Sequence, residues 1–219
     1  MKKLIWPVII VVFLSVIGAI GHIWIQSDSQ PYVVLIYALD PNGVTKWSGS
    51  GCFIRSDLIL TAGHVVQDTE RFEIVLPNGH IRPGYFAYIE DVNLTDVGLV
   101  KVRGDYPVTS FGHTPHLGRD VWIAGYAFAE RPLTLTKGII SCVDRDSDFF
   151  GKINLLQVDS AAWPGHSGSP VLDNHNRIVG ILVGGLVESD NWSICVPVKI
   201  IRLSLVKYDV TAALEVLCD

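Results

Sequence analysis

The sequence predicts an all-β fold of barrel or sandwich type, and three observations carry that reading. Between residues 33 and 197, short runs rich in β-branched and aromatic residues follow one another with hardly any helical periodicity. Turn signals separate the runs, among them Pro41-Asn42-Gly43, Pro77-Asn78-Gly79 and Asp173-Asn174-His175-Asn176. A polar stretch, Thr109–Asp120, divides them into two groups of similar size, which suits two small barrels sharing an interface.

The first group comprises Val33–Tyr37, Ser50–Ile54, Leu58–Thr61, Phe72–Val75, Tyr85–Ile89 and Val97–Val102. The second comprises Val121–Ala124, Leu133–Val143, Ile153–Val158, Ile178–Val183 and Trp192–Val196, with Val171-Leu172 also strand-like. From Val198 onward, Ile200, Ile201, Leu203 and Val206, then Ala212, Ala213 and Val216, are compatible with a C-terminal helix over about 200–217, broken near Tyr208-Asp209.

The chain has 219 residues, 17 Lys+Arg against 22 Asp+Glu, and 49% apolar residues. That apolar fraction supplies a real core and excludes a disordered polymer. A net charge of −5 argues against a nucleic-acid protein, which would show a basic excess or stripe. The mean hydropathy of +0.36 is high, and its source is local. Lys2 and Lys3 precede an almost unbroken apolar run from Leu4 to Ile25. At about 1.5 Å per residue this run spans roughly 33 Å, one bilayer core. The pattern is an export signal, read either as an uncleaved anchor through residues 4–25 or as a signal peptide cleaved near Ala19-Ile20-Gly21. Residues 1–26 are thus set apart from a folded region of 27–219, which either reading places outside the cytoplasm. Cys52, Cys142, Cys195 and Cys218 allow three disulfide pairings; three of them lie in strand-like runs, where buried free thiols are the plain alternative.

Three stretches carry chemistry. In Pro164-Gly165-His166-Ser167-Gly168-Ser169-Pro170, a serine stands between glycines on a tight loop. Such a loop lets a substrate carbonyl approach, and converging backbone N–H groups form an oxyanion hole. Leu58-Ile59-Leu60-Thr61-Ala62-Gly63-His64 ends an apolar strand on a histidine, the usual base for a serine nucleophile. Thr95-Asp96-Val97-Gly98-Leu99-Val100-Lys101-Val102 opens a buried-looking strand on a carboxylate, costly there unless an imidazole N–H pairs with it. Asp91 is a rival acid, but its five-residue offset misplaces it on the strand pattern.

On these stretches the sequence resembles the chymotrypsin-fold serine peptidases, and within them the HtrA/Deg group, over roughly residues 33–200. The order His64, Asp96, Ser167 is the order of that clan. Thr61-Ala62-Gly63-His64-Val65-Val66 is similar to the family's histidine motif, and Asp159–Pro170 resembles its Asp-Ala-Ala-Ile-Asn-Pro-Gly-Asn-Ser-Gly-Gly-Pro. Gly138-Ile139-Ile140-Ser141 and Ile178-Val179-Gly180-Ile181 fall where the family has Gly-Ile-Val-Ser and Val-Ile-Gly-Ile. The resemblance implies two antiparallel six-stranded barrels, about 31–110 and about 116–200, and a cofactor-free, metal-free endopeptidase acting on protein or peptide substrates. It implies Ser167 as nucleophile, His64 as base, Asp96 as the orienting acid, and the N–H groups of Gly165 and Ser167 as the oxyanion hole, each worth roughly 3 kcal/mol of barrier.

Departures from the family refine this. His166 replaces the usual Asn, and Ser169 the second glycine, a form also seen in glutamyl endopeptidases. No carboxylate at 166 and no activation motif imply a protease without a zymogen switch. Ala161, six residues before the nucleophile, supplies no charge for a basic substrate side chain. Val183, Gly184 and Gly185 imply a small or medium aliphatic residue before the scissile bond, with Trp163 as a further pocket wall. The usual peptide-binding PDZ domain is not expected in the twenty or so residues after Val198. Two alternatives stand beside the protease: a catalytically impaired peptide-binding or chaperone-like module, and a glutamyl-specific hydrolase. Asp144-Arg145-Asp146-Ser147-Asp148 reads as a solvated loop, not a calcium site. His113-Thr114-Pro115-His116 lacks a third metal ligand.

Overall fold

The computed structural model describes residues 31–147, 152–185 and 191–218. The apolar segment at residues 4–25 and its export reading lie outside the described residues.

Twelve strands close into two antiparallel barrels. The first holds β1 (Val33–Leu39), β2 (Thr45–Arg55), β3 (Leu58–Ala62), β4 (Arg71–Val75), β5 (Ile81–Ile89) and β6 (Val97–Val102), in the order β1-β2-β3-β6-β5-β4. The second holds β7 (Asp120–Gly125), β8 (Thr134–Ser147), β9 (Lys152–Asp159), β10 (Pro170–Leu172), β11 (Ile178–Gly185) and β12 (Trp192–Pro197), ordered β10-β11-β12-β9-β8-β7. Closure removes the unpaired edges that an open sheet of this length would expose.

The turn signals act as their chemistry dictates. Asp40 Oδ1 accepts the N–H groups of Asn42 (2.9 Å) and Val44 (2.8 Å), and Gly43 takes φ +83° to close β1 onto β2. Asp173 Oδ1 does the same for His175 and Arg177 between β10 and β11. The polar divider is tied to both barrels. Thr109 N–H donates to Phe53 O at 2.8 Å, and Gly112 N–H to Ile178 O at 2.8 Å. One apolar core runs from Val33, Phe53 and Leu99 through Ala124 to Ile181 and Val196, so the barrels share an interior.

α1 (Gly63–Val66) is a single turn after β3, and α2 (Val198–Cys218) follows β12. α2 is continuous, where the sequence predicts a break near Tyr208-Asp209. It contains no Pro or Gly, and Asp209 is held to Arg55 of β2 at 2.7 Å while Tyr208 packs on Tyr88. Val198, Ile201 and Ser204 are buried, with Ile201 in the core, whereas Leu203 and Val206 face outward. Lys199 pairs with Asp144 and Lys207 with Glu90, contacts worth at most about 1 kcal/mol each at a surface. Cys52 and Cys195 are buried free thiols and Cys142 is free and half-buried. Burial pushes the Cys52 thiol up to about 12, so it is neutral and unreactive.

Candidate active site

Asp96 is the best-anchored of the sequence-predicted residues. It precedes β6 with φ +55°, a conformation that Asp tolerates better than most residues, and it is 1% exposed. Its backbone oxygen accepts Gly63 N–H at 3.0 Å, and its Oδ1 accepts His64 N–H at 2.8 Å. These bonds pin the first turn of α1 to the acid. The same carboxylate then meets the imidazole: His64 Nδ1 lies 3.0 Å from Oδ2 and 3.2 Å from Oδ1. An ionised acceptor in that place makes Nδ1 the donor and leaves Nε2 as the basic nitrogen. The imidazole itself stays accessible, at 39% of its side-chain surface.

Asp91 has another task. Its backbone oxygen accepts the N–H groups of Leu94, Thr95 and Asp96, and its Oδ1 accepts Asn93 N–H at 2.9 Å. It shapes the turn that delivers Asp96.

Ser167 is half-buried on the loop between β9 and β10. That loop is fixed from three sides. Ser167 O accepts Ser50 N–H at 2.7 Å, Gly168 N–H donates to Leu182 O at 2.7 Å, and Pro164 O accepts Phe128 N–H at 2.6 Å. Gly49 sets the approach of the two halves: a Cβ there would lie 2.6 Å from Val65 Cγ2 and 2.8 Å from Ser167 O. Only a glycine lets the helix that carries His64 and the loop that carries Ser167 come this close. Ser167 Oγ makes no hydrogen bond to His64 in this arrangement. Among the described residues, the N–H groups of Gly165 and Ser167 donate to no protein acceptor. Gly165 takes φ +90°, and a Cβ on it would press on Tyr126 O at 2.5 Å and Ala129 N at 2.6 Å.

Ser50 enters the sequence reading only as the start of a strand. Its buried hydroxyl donates to Gly165 O at 2.8 Å and accepts Tyr126 N–H at 2.9 Å, bridging the barrels beneath the serine loop. Each of those backbone groups would cost about 1–3 kcal/mol if buried without a partner. Tyr126 opens a 3-10 turn, Ala127–Ala129, with Phe128 and Ala129 at positive φ. Tyr37 O–H clamps this turn by donating to Ala129 O at 3.0 Å. The alternation Ser48-Gly49-Ser50-Gly51 inside a strand is the signal that marks this region, since glycine within a strand signals close backbone approach.

A cleft of about 300 Å³ opens beside His64, lined also by Lys46, Trp47, Pro164 and Gly165. None of the residues expected to form the substrate pocket lines this cleft. Ala161 is half-buried, and its carbonyl accepts Thr136 O–H at 3.2 Å. Trp163 is 40% exposed, Gly184 and Gly185 are half-buried, and Val183 sits in the shared core at 6% exposure. His166 is fully buried, neither ring nitrogen has a hydrogen-bond partner, and burial holds its pKa below the usual histidine range.

The secondary candidates disperse. Asp144 is neutralised by Lys199, and Asp146 caps Asn154 N–H at 3.1 Å. His113 and His116 line a cavity of about 600 Å³ with His175, but among the described residues no three His, Cys, Asp or Glu side chains converge as metal ligands.

The chain is 28% identical to the putative serine protease HhoB of Synechocystis sp. over 170 residues, covering 73% of this chain and 40% of HhoB. It is 30% identical to the serine protease HTRA4 of Homo sapiens over 175 residues, covering 75% of this chain and 36% of that protein. It therefore spans well under half the length of these curated relatives. The crystal structure of the serine endoprotease from Yersinia pestis superposes with a TM-score of 0.72 at 24% identity, over 83% of this chain and 64% of that one. The profile of the trypsin-like peptidase domain matches residues 49–181, a span that takes in the His64, Asp96 and Ser167 segments together. The chain belongs to the trypsin-like peptidase domain family.

Proposed function

We propose that this chain is a serine endopeptidase in which Ser167, His64 and Asp96 act as a catalytic triad. The observation that carries the reading is the buried Asp96 carboxylate orienting an accessible His64 imidazole, across Gly49 from a half-buried Ser167. Ser167 Oγ attacks the peptide carbonyl, and His64 Nε2 takes the hydroxyl proton. The carbonyl oxygen becomes an oxyanion held by the N–H groups of Gly165 and Ser167. His64 then gives its proton to the departing amine, leaving an acyl-enzyme on Ser167. Water, deprotonated by the same imidazole, releases the acid product. In unliganded sites the bond between serine and histidine is often long and tightens as substrate binds. No step uses a cofactor or metal.

Substrate polarity follows from the walls. The leaving segment receives its proton from His64 and so runs into the cleft lined by Trp47 and Gly165. The side chain before the scissile bond goes to the opposite flank, toward Ala161, Trp163, Val183, Gly184 and Gly185. With no carboxylate among these, a Lys or Arg there goes unpaired. A peptide library is expected to give cleavage after Ala, Val or Leu, with Lys, Arg and Glu on the order of 100-fold poorer. A serine-directed phosphonate should add one adduct, mapped to Ser167 by mass. Efficient cleavage after Glu or Arg would overturn the pocket assignment, and a failure to label would favour a peptide-holding module without turnover.

The substrates we infer are exported or misfolded proteins. HtrA and DegP-like names recur among the relatives, one of them described as periplasmic. Lys2, Lys3 and the apolar run after them support a catalytic domain, residues 27–219, held outside the cytoplasm on an anchor. The full chain should stay with carbonate-washed membranes, and recovery in the soluble fraction at full length would refute the anchor.

A further inference from the structure

We propose that His166 is a positioning residue that holds the nucleophile loop in its working shape only while its imidazole is neutral, so that acid opens the loop reversibly. The inference rests on the reading of Ser167 as nucleophile, but its test includes a readout that does not.

The loop is folded around this side chain. His166 N–H donates to Trp163 O at 3.0 Å, and His166 O accepts Ser169 N–H at 2.9 Å, so the imidazole is the inward-pointing centre of the turn preceding β10. It is 0% exposed, and neither Nδ1 nor Nε2 meets a hydrogen-bond partner. The Trp163 indole packs on it in a T-shaped arrangement, with ring centroids 5.5 Å apart and planes at 70°. The buried hydroxyl of the next inward residue, Ser169, is unpartnered as well. A neutral imidazole tolerates such a site, because its desolvation cost is that of a dipole. An imidazolium needs two acceptors or a counter-charge and finds neither.

The titratable groups on the segments around the loop are His64 and Asp96 in the first barrel, Tyr126 and Glu130 flanking the 3-10 turn, and Asp159 at the end of β9. Asp96 is committed to His64, and burial raises the Tyr126 phenol, so it stays neutral in acid. Burial is the cause that moves the titration of His166 downward. The sign of the coupling is then fixed. In the open loop the imidazole titrates near the ordinary 6.5, and in the closed loop lower. The closed loop is fully favoured above pH 6.5 and loses ground as the pH falls from there toward the closed-state value. Opening displaces Gly165 and Ser167 together, because both flank His166 directly.

The test compares wild type with His166→Asn, which carries no titratable group. In acid, kcat/KM of wild type should fall more steeply than that of the Asn variant, by up to about a further tenfold per pH unit, because one more proton closes off the working loop. Activity should return on neutralisation, with far-UV circular dichroism unchanged throughout. Independently of turnover, the emission of Trp163 in Ser167→Ala protein should shift in acid and revert at neutral pH. That shift should vanish in Ser167→Ala/His166→Asn and in Ser167→Ala/Trp163→Phe. If the Asn variant does not unfold cooperatively at neutral pH, His166→Gln replaces it. Superimposable acid limbs, or an emission change that persists without His166, would overturn the proposal. An emission change that requires His166 in a protein that cuts no peptide at any pH would uphold the latch and remove the proteolytic reading instead.

Discussion

Replacing Ser167 with alanine is expected to lower peptide turnover by on the order of 10⁴- to 10⁶-fold. The loss should fall on kcat, because the hydroxyl forms a bond only along the reaction path, while peptide binding in the cleft is retained. The fold should survive. Among the described residues, Ser167 is tied into the fold through its backbone oxygen, which accepts Ser50 N–H at 2.7 Å, and alanine keeps that oxygen. Thermal unfolding of the variant should therefore match wild type, and its phosphonate adduct should disappear. Residual turnover equal to wild type would show that another group carries the chemistry. Turnover lost together with cooperative unfolding would show that the loop, not the nucleophile, had been disturbed. The triple attachment of the loop to Ser50, Phe128 and Leu182 makes that second outcome the less expected one.

Asp96→Asn should cost on the order of 10⁴ in kcat while sparing the fold. Asparagine tolerates the φ of +55° that Asp96 adopts, and its amide oxygen still accepts the His64 N–H that Oδ1 now accepts at 2.8 Å. What changes is the other contact. The carboxylate oxygen 3.0 Å from His64 Nδ1 becomes an amide nitrogen, or the amide turns and gives up the backbone bond. Either way Nδ1 no longer faces a charged acceptor, the useful tautomer loses its support, and the imidazolium formed in the transition state has no counter-ion. Asp91→Asn is the control, since Asp91 shapes the preceding turn through its backbone oxygen and Oδ1 without meeting the imidazole. Equal losses in the two variants, read from steady-state kcat on one peptide, would reassign the acid.

Much of the site was legible because Ser167, His64 and Asp96 each stand out from their immediate neighbours. A serine between glycines, a histidine closing an apolar strand and an acid opening another are local statements. The strands were legible through β-branched runs and turn residues, with ends displaced by a few positions. β5 begins at Ile81, not Tyr85, because the largely exposed Ile81-Arg82-Pro83-Gly84 stretch, which reads as a turn by its Pro and Gly, is paired along β4. The continuous α2 went unread at Tyr208-Asp209 because its support comes from Arg55 and Tyr88 of the first barrel, remote in the sequence. Ser50 escaped for the same reason: its two partners are 76 and 115 residues away.

The sequence by itself determined the chemistry on offer: which side chains bear a hydroxyl, an imidazole and a carboxylate, in which order, on which strand ends, and with what turn residues between. Those follow from local composition, since side-chain chemistry and backbone propensity are properties of neighbouring residues. Only the tertiary structure decided that Asp96 meets His64, that Gly49 admits Ser167 beside the helix carrying that histidine, and that His166 lies buried with no partner. Barrel closure brings residues more than a hundred positions apart within a hydrogen bond, and burial sets the cost of a charge. Both depend on what the distant chain places around a residue.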